Sequence, residues 1–207
     1  MNVFYRVLKR FFDLVFSFFG MIFLLLVIPF IKIRYMLSSD FNTIFYKQYR
    51  FGQNGKIFKL YKFRTMVTDA DILLEDILNE KKYKDQWNKN QKLEYDPRVT
   101  KVGRFLRSSC LDEVPQFINV FKGEMSIVGP RPYLEREKKL LKSNIKIITK
   151  VKPGLTGYWQ VNRENYTSFK SRMKLEKYYA NNCSLIFDVK ILFLTIKMFI
   201  KKIFKIS

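Results

Sequence analysis

Hydrophobic and polar positions sort this chain into an apolar head, a mixed body and an amphipathic tail. Residues 14 to 31, LVFSFFGMIFLLLVIPFI, form one uncharged stretch of 18 residues, at the short end for a helix that crosses a bilayer. Lys32, Ile33 and Arg34 follow it, with no small-residue cleavage site, so it does not read as a signal peptide. Cations flank it on both sides, Arg6, Lys9 and Arg10 before and Lys32 and Arg34 after, an arrangement that would keep both flanks in the cytoplasm. Pro29 predicts a bend or an end to the helix. A bent helix that enters one leaflet and returns satisfies the proline and the symmetric charges together, and is favoured over a span, which stays open.

In the tail, a helix from Ile186 onward places Lys190, Lys197, Lys201 and Lys205 on one stripe. Leu192, Phe193, Ile196, Phe199, Ile200, Ile203 and Phe204 supply apolar surface. This pattern fits a basic helix lying in a membrane interface and equally a core-packing helix with a solvated lysine face. In the body, residues 45 to 66, FYKQYRFGQNGKIFKLYKFRTM, predict a hairpin turning at Asn54-Gly55. Alternatively Ile57, Leu60, Phe63 and Met66 pack as core with Lys56, Lys59, Lys62 and Arg64 outside. An acid- and leucine-rich helix is expected from Asp69 to Lys82, then a charged, mobile connection around Lys89 to Glu94.

The 207 residues suit one domain. A net charge of +21 on a chain 48% hydrophobic and 17% aromatic speaks against disorder and for an anionic partner: nucleic acid, an anionic bilayer or a phosphorylated substrate. The absence of histidine removes imidazole catalysis, Ser-His pairs and histidine metal ligands. Cys110 and Cys183 lack metal-ligand spacing and read as reduced thiols.

Candidate chemistry concentrates in LDEVPQFINVFKGEMSIVGPRP, from Leu111 to Pro132, which joins the acid pair Asp112-Glu113 to Arg131 between Pro130 and Pro132. Pro115, an apolar run and Gly123 predict a short helix. The carboxylates would then sit at its N-terminus, where free N–H groups and the dipole favour anions and can lower a carboxylate pKa. On the residues alone Asp112 is a helix cap or a reactive group, and both readings stand.

Taken in order, KRFFD (Lys9 to Asp13), Pro29, KLYKFRTM (Lys59 to Met66), DPRVTKVGRFLR (Asp96 to Arg107), LDEVPQ with INVFKGEMSIVGPRP, VKPGLTGYWQV (Val151 to Val161) and SLIFDVKILFLTI (Ser184 to Ile196) resemble the bacterial sugar transferases, or monotopic phosphoglycosyl transferases, over nearly the whole chain. The resemblance implies an enzyme that transfers a sugar-1-phosphate from a UDP-sugar to a polyprenyl (undecaprenyl) phosphate and releases UMP, the first membrane step of glycan assembly. It implies that Asp112 is the nucleophile that forms a phosphoglycosyl-aspartate and the residue nearest Mg²⁺, and that Glu113 assists. Arg131, held by Pro130 and Pro132, would grip a phosphate; Lys62, Arg64 and Arg107 are further substrate-binding candidates.

The implied fold is α/β, mainly helical with a small sheet or hairpin. It comprises a re-entrant helix in residues 1–40, a catalytic region in 41–183 and an interfacial helix in 184–207, one integrated domain on the cytoplasmic face of the bacterial inner membrane. The chain is expected to be the catalytic module alone. Its insert between Met66 and Asp96 and the tryptophan of GYWQV resemble the branch of the family that transfers galactose or glucose phosphate, and the resemblance implies one of these rather than an acetamido sugar. Arg163 and Glu176 stand where the family commonly has glycine and aspartate, which argues against a direct substrate role for them. Gly154 and Gly157 read as turn residues. The competing reading, a non-catalytic basic protein binding membrane or nucleic acid, has no recognition-helix or zinc signature, and nucleic acid is not expected as a partner. Oligomeric state stays open.

Overall fold

The structure, a computed structural model, describes residues 3–90, 93–166 and 168–204, with the backbone alone at 89, 90 and 203. The chain packs as two compact units, each assembled from separated stretches. The larger comprises Met1–Ile22, Lys47–Tyr61 and Gln116–Ser207, the smaller Phe23–Tyr46 and Lys62–Pro115.

One helix, α1 (Val3–Met36), runs through both groupings, and Pro29 lies inside it rather than ending it. Its buried positions recur at steps of three, four or seven residues, at Asp13, Ser17, Gly20, Leu24, Ile31 and Tyr35, the spacing of one helix face. Away from that stripe its apolar side chains are exposed, Phe19, Leu25, Leu26 and Phe30 each by more than half.

Strands β1 (Phe45–Phe51) and β2 (Ile57–Phe63) form the expected hairpin. Asn54 and Gly55 both take positive φ, 56° and 75°, the left-handed backbone that asparagine and glycine tolerate best. The period-three alternative fails at its first member, because Ile57 is exposed whereas Phe58, Leu60 and Phe63 are buried.

In the larger unit, α5 (Gln116–Lys122) packs its Val120 with Phe58, Leu60 and Met125. Asn119, fully buried, joins this helix to β2: its Oδ1 accepts from Tyr61 N at 3.0 Å and its Nδ2 donates to Lys59 O at 2.7 Å. Strand β3 (Ser126–Val128) pairs in parallel with β4 (Gly154–Thr156), and the crossover that a parallel pair requires contains α6 (Lys138–Leu141) and α7 (Asn144–Ile148). Gly154 is thus a strand residue, not a turn. A Cβ there would lie 2.1 Å from Gly129 N, so glycine permits two backbones to meet.

Helices α8 (Tyr158–Asn162), α9 (Phe169–Asn182) and α10 (Leu185–Phe204) complete this unit. Val128, Val151, Tyr179, Ala180 and Ile191 make a second buried cluster there. On α10 the buried positions are Asp188 and Ile191, while Ile186, Val189, Phe193, Ile196 and Ile200 are exposed beside Lys190, Lys197 and Lys201. A core-packing helix would bury those apolar groups, which are exposed here. Lys205 lies outside the described residues.

The KRFFD segment ties α1 into the larger unit. Lys9 Nζ donates to Val128 O at 2.9 Å and pairs with Asp188 at 2.6 Å. Arg10 donates to Val120 O and Phe121 O at the end of α5, 2.7 Å each. Asp13 Oδ1 accepts from Ser126 Oγ and from Ile127 N on β3.

In the smaller unit, the expected long acidic helix is two, α2 (Ala70–Ile77) and α3 (Lys81–Asn90). Within the proposed mobile connection, residues 91 and 92 lie outside the described residues, and Leu93 is buried in the core. Helix α4 (Lys101–Ser109) starts at Thr100, whose side chain accepts from Gly103 N. Gly103 lies directly against the backbone of Thr65, where a Cβ would sit 1.9 Å from the carbonyl oxygen.

Candidate active site

Helix α4 ends at Cys110, a left-handed residue with φ 59°, the usual way to reverse a chain after a helix, though glycine more often fills that place. The reversal leads into a single 3-10 turn, Leu111–Glu113, and Pro115 directly precedes α5. Asp112 and Glu113 therefore occupy a turn between two helices. Asp112 caps neither helix; the cap of α4 is Thr100, and among the described residues no backbone N–H donates to Asp112.

Two cations from the same unit face the pair. Lys62, at the end of β2, bonds Glu113 Oε1 at 2.7 Å and lies 3.5 Å from Asp112 Oδ2, with side chains only 16% (Lys62), 29% (Glu113) and 13% (Asp112) exposed. Arg107, in the last turn of α4, is oriented by its Nε bond to Thr65 Oγ1 at 3.0 Å, and its charge reaches Asp112. Burial pushes the Asp112 carboxyl above the usual carboxylate range; Lys62 draws it down, Glu113 pushes it up and Arg107 draws it down. The direction is opposite to the lowering expected from a helix N-terminus, because desolvation outweighs the weak field of one short turn.

Arg64 does different work. Its Nη2 bonds both oxygens of Asp40 at 2.9 Å, its Nε donates to Thr43 O and its Nη1 to Met66 O, and the residue is buried. Tyr35 hydroxyl donates to Arg64 O, and the guanidinium stacks on the Tyr35 ring 4.8 Å away. These partners make Arg64 a strap holding the end of α1 to the strand end.

Pro130, Arg131 and Pro132 belong to the larger unit, directly after β3. Pro130 O accepts from Gly154 N at 2.8 Å, Pro132 O from Arg50 Nη1 at 3.1 Å and Tyr133 O from Phe51 N at 2.9 Å. Arg131 N donates to both oxygens of Glu176, 3.1 Å each. Desolvation, first, and the positive charges of Arg131, Arg172 and Arg136 push the half-buried guanidinium of Arg50 down to about 9, with Glu137 opposing. Like charges gathered this closely make a region suited to an anion.

The structure thus gathers Lys62, Arg107, Asp112 and Glu113 in one unit, turns Arg64 to structural use, and puts Pro130, Arg131 and Pro132 in the other unit. The sequence reading missed Asn119, Glu137 and Arg172, and noted Glu176 only as a departure from the family's aspartate. Of these only Arg172 and Glu176 carry a local signal, an i, i+4 charge pair that many solvated helices also show.

The family model described as bacterial sugar transferase matches residues 4–202. The chain belongs to the bacterial sugar transferase family. Over 199 residues this family member is 39% identical to a Salmonella typhimurium protein named undecaprenyl-phosphate galactose phosphotransferase, covering 95% of this chain and 41% of that one. It is 42% identical over 194 residues to the exopolysaccharide production protein ExoY of Sinorhizobium fredii, covering 91% and 83%. It is 38% identical over 208 residues to the Escherichia coli UDP-glucose:undecaprenyl-phosphate glucose-1-phosphate transferase, covering 95% and 41%. The chain therefore spans about two fifths of the length of the Salmonella and Escherichia relatives.

Proposed function

We propose that this sugar-transferase family member moves a hexose-1-phosphate, galactose or glucose, from a UDP-sugar to undecaprenyl phosphate at the cytoplasmic face of the membrane. The observation that carries the reading is Asp112, largely buried and bridged with Glu113 by Lys62. A carboxylate so desolvated is a better nucleophile than a solvated one, and the cation opposes its protonation. An Asp112 oxygen attacks the sugar-linked phosphorus; the bond from that phosphorus to the bridging oxygen breaks, and UMP leaves with the electron pair. An oxygen of undecaprenyl phosphate then attacks the same phosphorus, and the Asp112 carboxylate is released. Glu113 steers the lipid phosphate or takes its proton. Arg107, in the same unit as Asp112, holds phosphate oxygens, and Arg131, within the larger unit, binds a phosphate there, whereas Arg64, engaged with Asp40, is left out of substrate binding.

The donor set fits Mg²⁺, which takes one or two carboxylate oxygens and completes its shell with water and substrate phosphates. Asp112 offers hard oxygens, and among the described residues no cluster of three ligands forms an all-protein cage. Bound there, the ion would supply neutralisation of phosphate charge near an anionic nucleophile.

The apolar exposure of α1 and α10, with lysines flanking the latter, supports attachment to an anionic bilayer. The cations on both sides of the apolar stretch, Arg6, Lys9 and Arg10 before it and Lys32 and Arg34 after it, support the re-entrant reading over a span. The hexose preference is supported by the names of the Salmonella and Escherichia relatives. The test is a panel of UDP-sugars, acetamido sugars included, with undecaprenyl phosphate and Mg²⁺: UMP release with UDP-galactose or UDP-glucose is expected, and Asp112→Asn should abolish it together with covalent labelling. Folded protein that releases no UMP from any donor would sink the proposal.

A further inference from the structure

Between Pro130 and Leu134 the chain follows no strand or helix, and its two prolines have no N–H to anchor it. Its carbonyls at Pro130 and Tyr133 meet backbone N–H groups, and its own free N–H groups at Arg131 and Leu134 are taken by side chains of the larger unit. Glu176 on α9 takes Arg131 N with both oxygens, and Glu137 takes Leu134 N at 2.6 Å. Arg172, one helical turn from Glu176, stands by both acids, 3.5 Å from Glu137 and 4.0 Å from Glu176. Its guanidinium lies 4.0 Å from the Tyr133 ring and 4.9 Å from that of Trp159. Glu176 is 1% exposed, and it binds a backbone N–H rather than facing solvent.

We infer that Glu137, Arg172 and Glu176 form a clamp, within the larger unit, that positions Arg131 for a phosphate group. The clamp fixes the backbone on both sides of Pro132, so that the Arg131 side chain starts from one place and less freedom is lost when an anion binds. A buried carboxylate is a costly way merely to fill space beside α9. It is balanced here by the Arg131 N–H and the Arg172 charge, which oppose the burial that lifts Glu176 to about 7. Among the described residues Arg172 Nε and Nη2 are buried without a hydrogen-bond partner, so Arg172 serves Glu176 through its charge.

The inference rests on Arg131 binding a phosphate, as proposed above. Its test is a double-mutant cycle, Glu176→Ala and Arg131→Ala singly and together, read by UDP affinity in calorimetry and by KM and kcat for UMP release. Glu176→Ala should weaken UDP binding and raise KM about tenfold with a smaller change in kcat, and should have no further effect in the Arg131→Ala background. Glu176→Gln, which keeps the shape and one acceptor, guards against loss of folding and should fall between wild type and Glu176→Ala. Additive effects of the two alanine changes, or a fall in kcat with UDP affinity and KM unchanged, would overturn the clamp. If wild type releases no UMP from any donor while UDP binding shows the coupling, the clamp stands and the proposed reaction fails.

Discussion

Replacing Lys62 by methionine keeps a long apolar stem and removes only the cation between Asp112 and Glu113. At the 3.5 Å separation of Lys62 and Asp112, one ion pair is worth about 1 kcal/mol in a water-like medium and about 5 kcal/mol at an effective dielectric constant of ~20. The side chains are 16% and 13% exposed, which places the pair between these limits. Losing it should cost roughly 2 kcal/mol of stability at pH 8, or about 4–8 °C in Tm. The cost should shrink at low pH. Without Lys62, the Asp112 pKa, already raised by burial, rises further. A raised folded-state pKa gives stability that is present below the unfolded value and lost as pH rises through the folded one. The assay is thermal unfolding of both proteins in detergent from pH 5 to pH 8, with Lys62→Arg as a control that retains the charge. An equal Tm loss at both ends of the range would refute the ion-pair argument and leave lost packing as the cause.

Three further changes test the fold around the site. Gly154→Ala brings a methyl group against Gly129 N and should destabilise by about 1–3 kcal/mol, seen as a lower denaturant midpoint. Arg64→Met leaves Asp40 without its partner and frees the end of α1; a loss of about 2–4 kcal/mol is expected in chemical unfolding, with UMP release reduced only as far as folded protein is lost. Because Glu176 is lifted to about 7, its contribution favours the folded state below the unfolded value and fades as pH rises through about 7. Glu176→Gln should therefore melt with less pH dependence than wild type between pH 5 and 8, and identical slopes would count against a buried titrating carboxylate.

The local pattern carried far where the physics is local. Asn54-Gly55 announces its turn because few other residues tolerate positive φ, and the exposed apolar stripe of α10 follows from spacing. Patterns failed where a distant contact decided the outcome. Leu93 reads as part of a charged loop yet is buried. Gly154 reads as a turn, but a parallel partner 28 residues away, Ser126, makes it a strand residue (154 − 126). Asp112 was expected to be eased by a helix N-terminus, and burial pushes its pKa up instead.

The sequence by itself determined the apolar head, the hairpin, the basic tail and the acid pair with its nearby arginine, since composition, period and short-range turn chemistry dictate all of these. Only tertiary structure decided which charges do what. Lys62 and Arg64 lie two residues apart on the same strand end, yet one meets Asp112 and Glu113 and the other meets Asp40. A long cationic side chain takes its role from the carboxylate it reaches once the chain is folded, and no local periodicity encodes that partner.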